Sequence, residues 1–399
     1  MEHYLTKIII DKVRHLNNIE INLAPDYRQH LILTGKNGAG KTSVLNALGA
    51  YIAILNGKLL KGYNQYINYM LFEENKSSLS SVFSEFYAKY YQGIRVEWNN
   101  SINLDDLYTE GNLITAYFRA DRKFALENVK GVENVKLETS YRADDDPSEV
   151  LLKYMVHLKT QQSYAQNEKD EEIREIIALW FERFEAALKE LIDDDSIQLK
   201  YDYRNYNFLI LQDGKEPYDF GTLSDGYSSV IRIASDLMLR MDQNWLLKGS
   251  LCEYDREGIV LIDELETHLH IELQRKILPF LTKFFPKIQF IITTHSPYIV
   301  TSIDNALVFD LERQVEISDP SMYSPEDVAE GYFNAENYSE SIKKMMWRLK
   351  ILSEKTNITD DERAERAELR QRLNNSKGNL AVEILNELES LEGMTNGKI

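Results

Sequence analysis

Leu31-Ile32-Leu33-Thr34-Gly35-Lys36-Asn37-Gly38-Ala39-Gly40-Lys41-Thr42-Ser43 passes from an apolar strand pattern, through a glycine-rich turn, into a helical pattern. Gly35 to Thr42 fits G-x-x-x-x-G-K-[ST]. Glycines let the backbone wrap closely enough for amide hydrogens to face phosphate oxygens. The N-terminus of the following helix adds a positive partial charge. Gly35, Lys36, Asn37, Gly38, Ala39, Gly40, Lys41, Thr42 and Ser43 are therefore the expected phosphate cradle. Lys41 would reach the β- and γ-phosphates of a nucleotide, and Thr42 would hold Mg²⁺.

Outward from this turn, residues 5–10, 19–23 and 31–34 read as strands, and 42–55 as a helix. Residues 57–112 are rich in Tyr and Ser and show no clear period. Residues 113–118 read as a strand closed by Arg119-Ala120-Asp121-Arg122. One of these arginines approaches phosphate, or both sit solvated in a surface turn. Helical patterns cover 150–166 and 170–192, a hairpin covers 199–203 and 208–211, and a helix covers 228–240. Polar, turn-forming seams lie at 140–149 and 318–327.

Gly258-Ile259-Val260-Leu261-Ile262-Asp263-Glu264 is an apolar strand ending in two acids. Unpaired carboxylates are costly to bury, so the pair needs a reason, and Mg²⁺ supplies one. Asp263 would hold the metal through water, and Glu264 would orient or deprotonate an attacking water. Residues 287–294 form a third buried strand, followed by His295-Ser296-Pro297. A histidine there faces the usual ligand crevice of an α/β sheet, within reach of a γ-phosphate. Leu223-Ser224-Asp225-Gly226-Tyr227 opens the helix at 228, with Ser224 suited to the N-cap and Asp225 to the first turn. His268, His270 and His295 have the residue types of a zinc site, but the nucleotide reading already explains all three positions.

Four motifs in this order resemble the ABC ATPase superfamily, on its SMC, RecF and OLD-nuclease branch. The likeness covers residues 1–60 and 215–310 well. Ser224 and Gly226 match the signature Leu-Ser-Gly-Gly-Gln, while Asp225 replaces its first glycine and Tyr227 its glutamine. The run Asp263-Glu264-Leu265-Glu266-Thr267-His268-Leu269-His270 is similar to stand-alone ATPases of bacterial anti-phage systems, of the Septu, retron-linked and PARIS kinds. The resemblance implies an ATP-binding and hydrolysing head with Mg²⁺ as cofactor. It also implies that Ser224, Asp225 and Gly226 act in trans on the ATP of a second copy. One chain carries one cradle and one signature, so a homodimer completes both sites. Gln161 and Gln162 are candidates, by order alone, for the Mg²⁺-sensing glutamine of the superfamily.

The expected fold is α/β: an ABC-type P-loop head with a mixed sheet flanked by helices, an inserted helical lobe and a helical C-terminal extension. The head would comprise 1–60 and 196–317, the insertion 61–195 with its lobe at 146–195, and the extension 318–399. Lys41 and Ser224 are 183 positions apart, wider than in transporter ATPases and too close for the long coiled coils of SMC proteins. No acid cluster of a TOPRIM domain follows Asp310, and no histidine follows His295. A separate effector protein, nuclease or toxin, is therefore expected, with the apolar helical face of Ile342, Met345, Met346, Leu349 and Leu352 as a possible docking surface or as part of the chain's own core.

The net charge of −18 argues against a protein coated in nucleic acid, though a local basic groove remains compatible. The single cysteine, Cys252, excludes a disulfide framework. No signal-peptide pattern and no run of about 18 apolar residues is present, so a cytoplasmic protein without a membrane span is expected. The leading functional expectation is a nucleotide-controlled sensor or scaffold of a bacterial defence complex. The alternative is a RecF- or SMC-like ATPase that binds DNA directly in repair or recombination.

Overall fold

The computed structural model describes residues 2–54, 92–122, 126–127, 129–242, 256–317, 320–331, 340–355 and 359–375. They fall into two compact units, Met1–Val328 and Ala329–Ile399. The first opens with β1 (Leu5–Val13), β2 (Leu16–Asn22), β3 (His30–Thr34), α1 (Lys41–Ile54), β4 (Ile94–Trp98), α2 (Leu104–Thr109) and β5 (Leu113–Phe118). Next come α3 (Leu151–Glu168), α4 (Glu171–Ile192), β6 (Gln198–Asp202), β7 (Asn207–Leu211), β8 (Tyr218–Asp219) and α5 (Asp225–Met241). After these run β9 (Glu257–Ile262), α6 (Ile271–Phe284), β10 (Ile288–Thr293), α7 (Pro297–Val300), β11 (Ala306–Asp310) and β12 (Val315–Ile317). The chain continues through α8 (Pro325–Gly331), α9 (Glu340–Glu354) and α10 (Asp360–Asn375).

The main sheet has the order β12-β11-β3-β10-β9-β5. Its strands are parallel except β12, which runs antiparallel at one edge. β3 and β10 are buried at every position, and β9 at all but its first. That continuous burial is what a parallel strand covered on both faces requires, and it explains the unbroken apolar runs. Because the strands are parallel, β3, β5, β9 and β10 all end at one edge of the sheet. The loops that carry Gly35, Arg119, Asp263 and His295 leave from that edge.

A second, antiparallel sheet has the order β2-β1-β4. β2 alternates buried and exposed positions along most of its length, as expected of a sheet with one covered face. β4 and β5 lie in the stretch 61–195 expected as an insertion, yet they pair with β1 and β9. The apolar run of β5 supplies an edge strand that the Asp-Glu strand would otherwise lack.

The helical lobe is built on α3 and α4. Asp170 caps α4 by accepting from the Ile173 amide, and Asp193 ends it in the left-handed region. Ile177, Trp180, Phe181, Phe184, Leu188 and Leu191 form its buried stripe. Trp180 stacks on Phe184 at 5.3 Å and meets Tyr154 of α3 edge-on at 5.8 Å. Phe181 stacks on Phe208 of β7, which seats the lobe on the β6-β7-β8 sheet.

α5 lies almost wholly buried and carries an ion pair in its interior. Asp236 and Arg240, 1% and 2% exposed, pair at 2.5 Å. Arg240 also donates to the carbonyls of Thr115, Arg142 and Asp145. One guanidinium thus ties α5 to β5 and to the polar seam that follows it. The sequence offered no sign of this, because Arg240 reads as a cation in a last helical turn.

In the second unit Arg348 of α9 grips Glu365 of α10 with two hydrogen bonds, at 2.8 and 2.7 Å. Leu349 and Leu352 are buried, while Trp347 is 66% exposed. Among the described residues no helix is long and apolar enough to cross a membrane. Cys252 lies outside them.

Removing Arg240 leaves a buried carboxylate without a counter-charge and three carbonyls without a donor. Arg240→Leu should cost about 3–5 kcal/mol, measured by urea unfolding of the full chain. A loss below roughly 1 kcal/mol, the range of an exposed pair, would show that this contact does not hold α5 in place.

Candidate functional site

The glycine-rich turn between β3 and α1 adopts backbone angles that side chains resist. Gly35 has φ +132°, and a Cβ there would meet Ala39 Cβ at 3.0 Å and the Glu312 amide nitrogen at 3.3 Å. Glycine is therefore required on two counts. Lys41 is 6% exposed and folds back on the turn, donating to the Gly35 carbonyl at 2.7 Å and the Lys36 carbonyl at 3.2 Å. Burial pulls its ammonium below the ordinary lysine range, while the carboxylates of Glu266, Glu264, Asp263 and Asp310 pull it back up. Lys36 pairs with Glu312 at 3.1 Å on the outer side.

Thr42 and Asp263 meet, as the motif order requires: Thr42 Oγ1 donates to Asp263 Oδ1 at 3.2 Å. The same carboxylate oxygen accepts from Thr293 Oγ1 at 2.6 Å. A hydroxyl and a carboxylate at one point, both oxygen donors, suit Mg²⁺. Among the described residues no three of His, Cys, Asp and Glu stand together as a metal-binding cluster.

Glu264 has φ +46°, an uncommon value for a residue with a side chain. Its peptide is held on both sides. The Glu264 amide donates to Thr293 Oγ1 at 2.7 Å, and its carbonyl accepts from Arg122 Nη2 at 3.0 Å. The Glu264 carboxylate itself receives only a long contact from Thr267, at 3.4 Å.

Arg122 is 4% exposed. It donates to the carbonyls of Arg119, Asp263, Glu264 and Leu265 and, through Nε, to Ser229 Oγ of α5 at 3.0 Å. Burial pushes its pKa down to about 10, with Glu266 the leading opposing charge. Of the two expectations for these arginines, solvation fits Arg119, which is exposed and donates to Asn46. Arg122 is neither solvated nor free to reach phosphate with its bonded donors.

His295 follows β10 as expected. Its amide donates to Glu266 Oε1 at 2.5 Å. Its Nε2 and the second oxygen of Glu266 are buried without a hydrogen-bond partner. Burial and the Lys41 charge hold the imidazole below its usual pKa, so it is neutral at pH 7. Glu266 thus stands among Lys41, Arg122 and His295 and was not foreseen. The signal was available in the sequence, as a third acid two residues after the Asp-Glu pair.

The signature segment folds as the N-terminus of α5, with Ser224 and Asp225 exposed. Ser224 occupies the N-cap position, but its hydroxyl makes no capping bond, contrary to the expectation. Gly226 is buried against the loop after β9: a Cβ there would meet the His268 carbonyl oxygen at 2.8 Å. Gln162 uses both ends of its amide inside the helical lobe, with Lys159 and Arg174.

The chain is similar to the Septu protein PtuA of Bacillus thuringiensis, 23% identical over 332 residues, which cover 78% of this chain and 77% of that protein. It is 43% identical to the Septu protein PtuA of Bacillus mycoides (strain KBAB4) over 93 residues, 23% of this chain and only 12% of that protein. It is 34% identical to the retron Ec83 probable ATPase of Escherichia coli over 124 residues, 31% of this chain and 21% of that one. The match of a family model to residues 31–301 covers more than half of the sequence, and on that ground the chain belongs to the family described as "AAA domain, putative AbiEii toxin, Type IV TA system".

Proposed function

We propose that the chain binds and hydrolyses ATP as a homodimer and serves as the nucleotide-controlled sensor or scaffold of an anti-phage complex. The observation that carries this reading is the convergence of Lys41, Thr42, Asp263, Glu264 and His295 at one edge of a parallel sheet. Its likeness to Septu and retron proteins supports the defence setting. A separate effector, nuclease or toxin, would be the partner. The functional head in this proposal is 1–60 and 196–317 together with β4 and β5, and the extension 318–399 is the candidate partner surface.

Phosphate would lie on the amides of Gly35 to Ser43, and Lys41 would exchange the two carbonyls it now holds for phosphate oxygens. Thr42 and Asp263 would hold Mg²⁺, which supplies charge neutralisation when bound. Glu264 would take the proton of the attacking water, and its weakly engaged carboxylate is free to do so. His295 Nε2, buried and unpaired, would donate to or accept from the γ-phosphate–water pair. Ser224, Asp225 and Gly226 would cap the ATP of a second copy. Asp225 places a carboxylate where the superfamily has a glycine, so it opposes the γ-phosphate charge and slows turnover.

Glu264→Gln should lower kcat by roughly 10²- to 10⁴-fold and give an ATP-dependent dimer in a mass measurement; normal hydrolysis by this variant removes Glu264 as the base. Asp225→Gly should raise kcat about three- to tenfold in a steady-state assay. An unchanged rate would mean that the added charge does not set the pace. Tight, salt-sensitive DNA binding by the purified chain would favour the repair reading instead.

A further inference from the structure

Two contacts tie the first turns of α5 to the turn after β9, one directly and one through Arg122 of the loop after β5. One is the close approach of Gly226 to the His268 carbonyl. The other is the hydrogen bond from Arg122 Nε to Ser229 Oγ, 3.0 Å long and buried at both ends. The remaining donors of Arg122 reach the carbonyls of Asp263, Glu264 and Leu265 at 2.7, 3.0 and 3.2 Å, and that of Arg119 at 3.1 Å. A single planar group therefore contacts the helix that presents the signature and the turn that presents the hydrolytic acid.

We propose that Arg122 and Ser229 link the two half-sites of one chain, so that α5, on engaging the nucleotide of a second copy, sets the Glu264 turn of its own chain for hydrolysis. The inference rests on the reading of α5 as acting in trans. Its consequence is that the two nucleotides of the dimer are hydrolysed cooperatively. Arg122 is a positioning residue in this scheme, since its donors are engaged by Ser229 and four backbone carbonyls.

Three physical features make the link effective. The guanidinium is a rigid fork, so a shift of α5 is passed to the carbonyls and is not absorbed by a side-chain torsion. Arg122 and Ser229 are 4% and 3% exposed, so water does not replace a bond that is pulled apart. Glu264 sits in a sparsely populated backbone region and is retained there by Thr293 at its amide and, at its carbonyl, by Arg122 together with the Thr267 amide at 3.0 Å. A residue kept in such a region by its partners is sensitive to their positions, so displacing Arg122 would alter the aim of the Glu264 side chain. The carboxylates of Glu266, Asp263 and Glu264 offset part of the cost of burying the cation.

The experiment compares wild type, Ser229→Ala and Arg122→Lys in the full chain. Ser229→Ala removes the Nε partner and leaves the four carbonyl bonds. Arg122→Lys keeps the charge and loses the fork. The wild type should hydrolyse ATP with a Hill coefficient approaching about 2, the number of sites. Ser229→Ala should bring it to about 1 and lower kcat several-fold. Its Kd for a fluorescent ATP analogue should stay within roughly twofold of wild type, a split that a merely structural role does not produce. Arg122→Lys should lower the coefficient in the same way. If it fails to fold, Ser229→Ala decides alone. A wild-type coefficient of 1, or Ser229→Ala with wild-type coefficient and kcat, overturns the link. Failure of Glu264→Gln to dimerise with ATP overturns the dimer reading and the link with it. A dimer in that variant beside an unaltered Ser229→Ala overturns the link only.

Discussion

The structure depends on one peptide, that of Glu264, held in the left-handed region between Thr293 and Arg122. An extended β9 delivers Asp263 beside Thr42, and the chain must then turn at once so that Glu264 and Glu266 face the same edge. The turn exposes an amide and carbonyls that have no partner in the strand ladder. Buried backbone groups require partners, and here two side chains supply them beside the turn's own bond from the Thr267 amide to the Glu264 carbonyl. Thr293 comes from the neighbouring parallel strand, and Arg122 from the loop beyond the far one. The acid pair is thus fixed by both strands that flank its own.

That constraint orders the rest of the site. Asp263 Oδ1 is shared between Thr42 and Thr293, so the cradle and the histidine strand are referenced to one carboxylate oxygen. Glu266 continues the chain of contacts to the His295 amide. Ser296 donates to Gln274, and Gln274 donates in turn to the Leu269 carbonyl. The loops after β9 and β10 therefore form one bonded layer above the sheet edge.

Four strands of the main sheet, β3, β5, β9 and β10, and the nucleotide motifs were legible because their signals are local. A glycine turn between apolar runs, and an apolar strand closed by two acids, each lie within about ten neighbouring positions, and parallel burial leaves a continuous apolar run that periodicity detects. What escaped depends on distant partners. Arg122 was open to a phosphate contact or a solvated turn because four of its five acceptors lie 107 to 143 positions away in sequence. The lobe's use of the Gln162 amide, bonded to Lys159 and to the Arg174 carbonyl, likewise left no mark in the sequence. β4 and β5 were assigned to an insertion because strand pairing across long separations leaves no mark in a short window. Gly226 was read as part of a signature, and the 2.8 Å approach of the His268 carbonyl gives it a second, packing reason.

The position of β3 has a consequence for how the molecule is made. Its two neighbours in the sheet are β10 and β11, the latter ending at Asp310. A ribosome adding about 5–20 residues per second therefore works for on the order of ten to fifty seconds between releasing that strand and supplying the strands that flank it. Throughout that interval a strand with an apolar centre, Leu31 to Leu33, and two open edges is present in the nascent chain, a state prone to wrong pairing. The antiparallel β1-β2 hairpin, complete before β3 emerges, is the early structure available to shelter it. Synthesis of this protein thus passes through a long window in which residues 30–34 await the strands that pair with them.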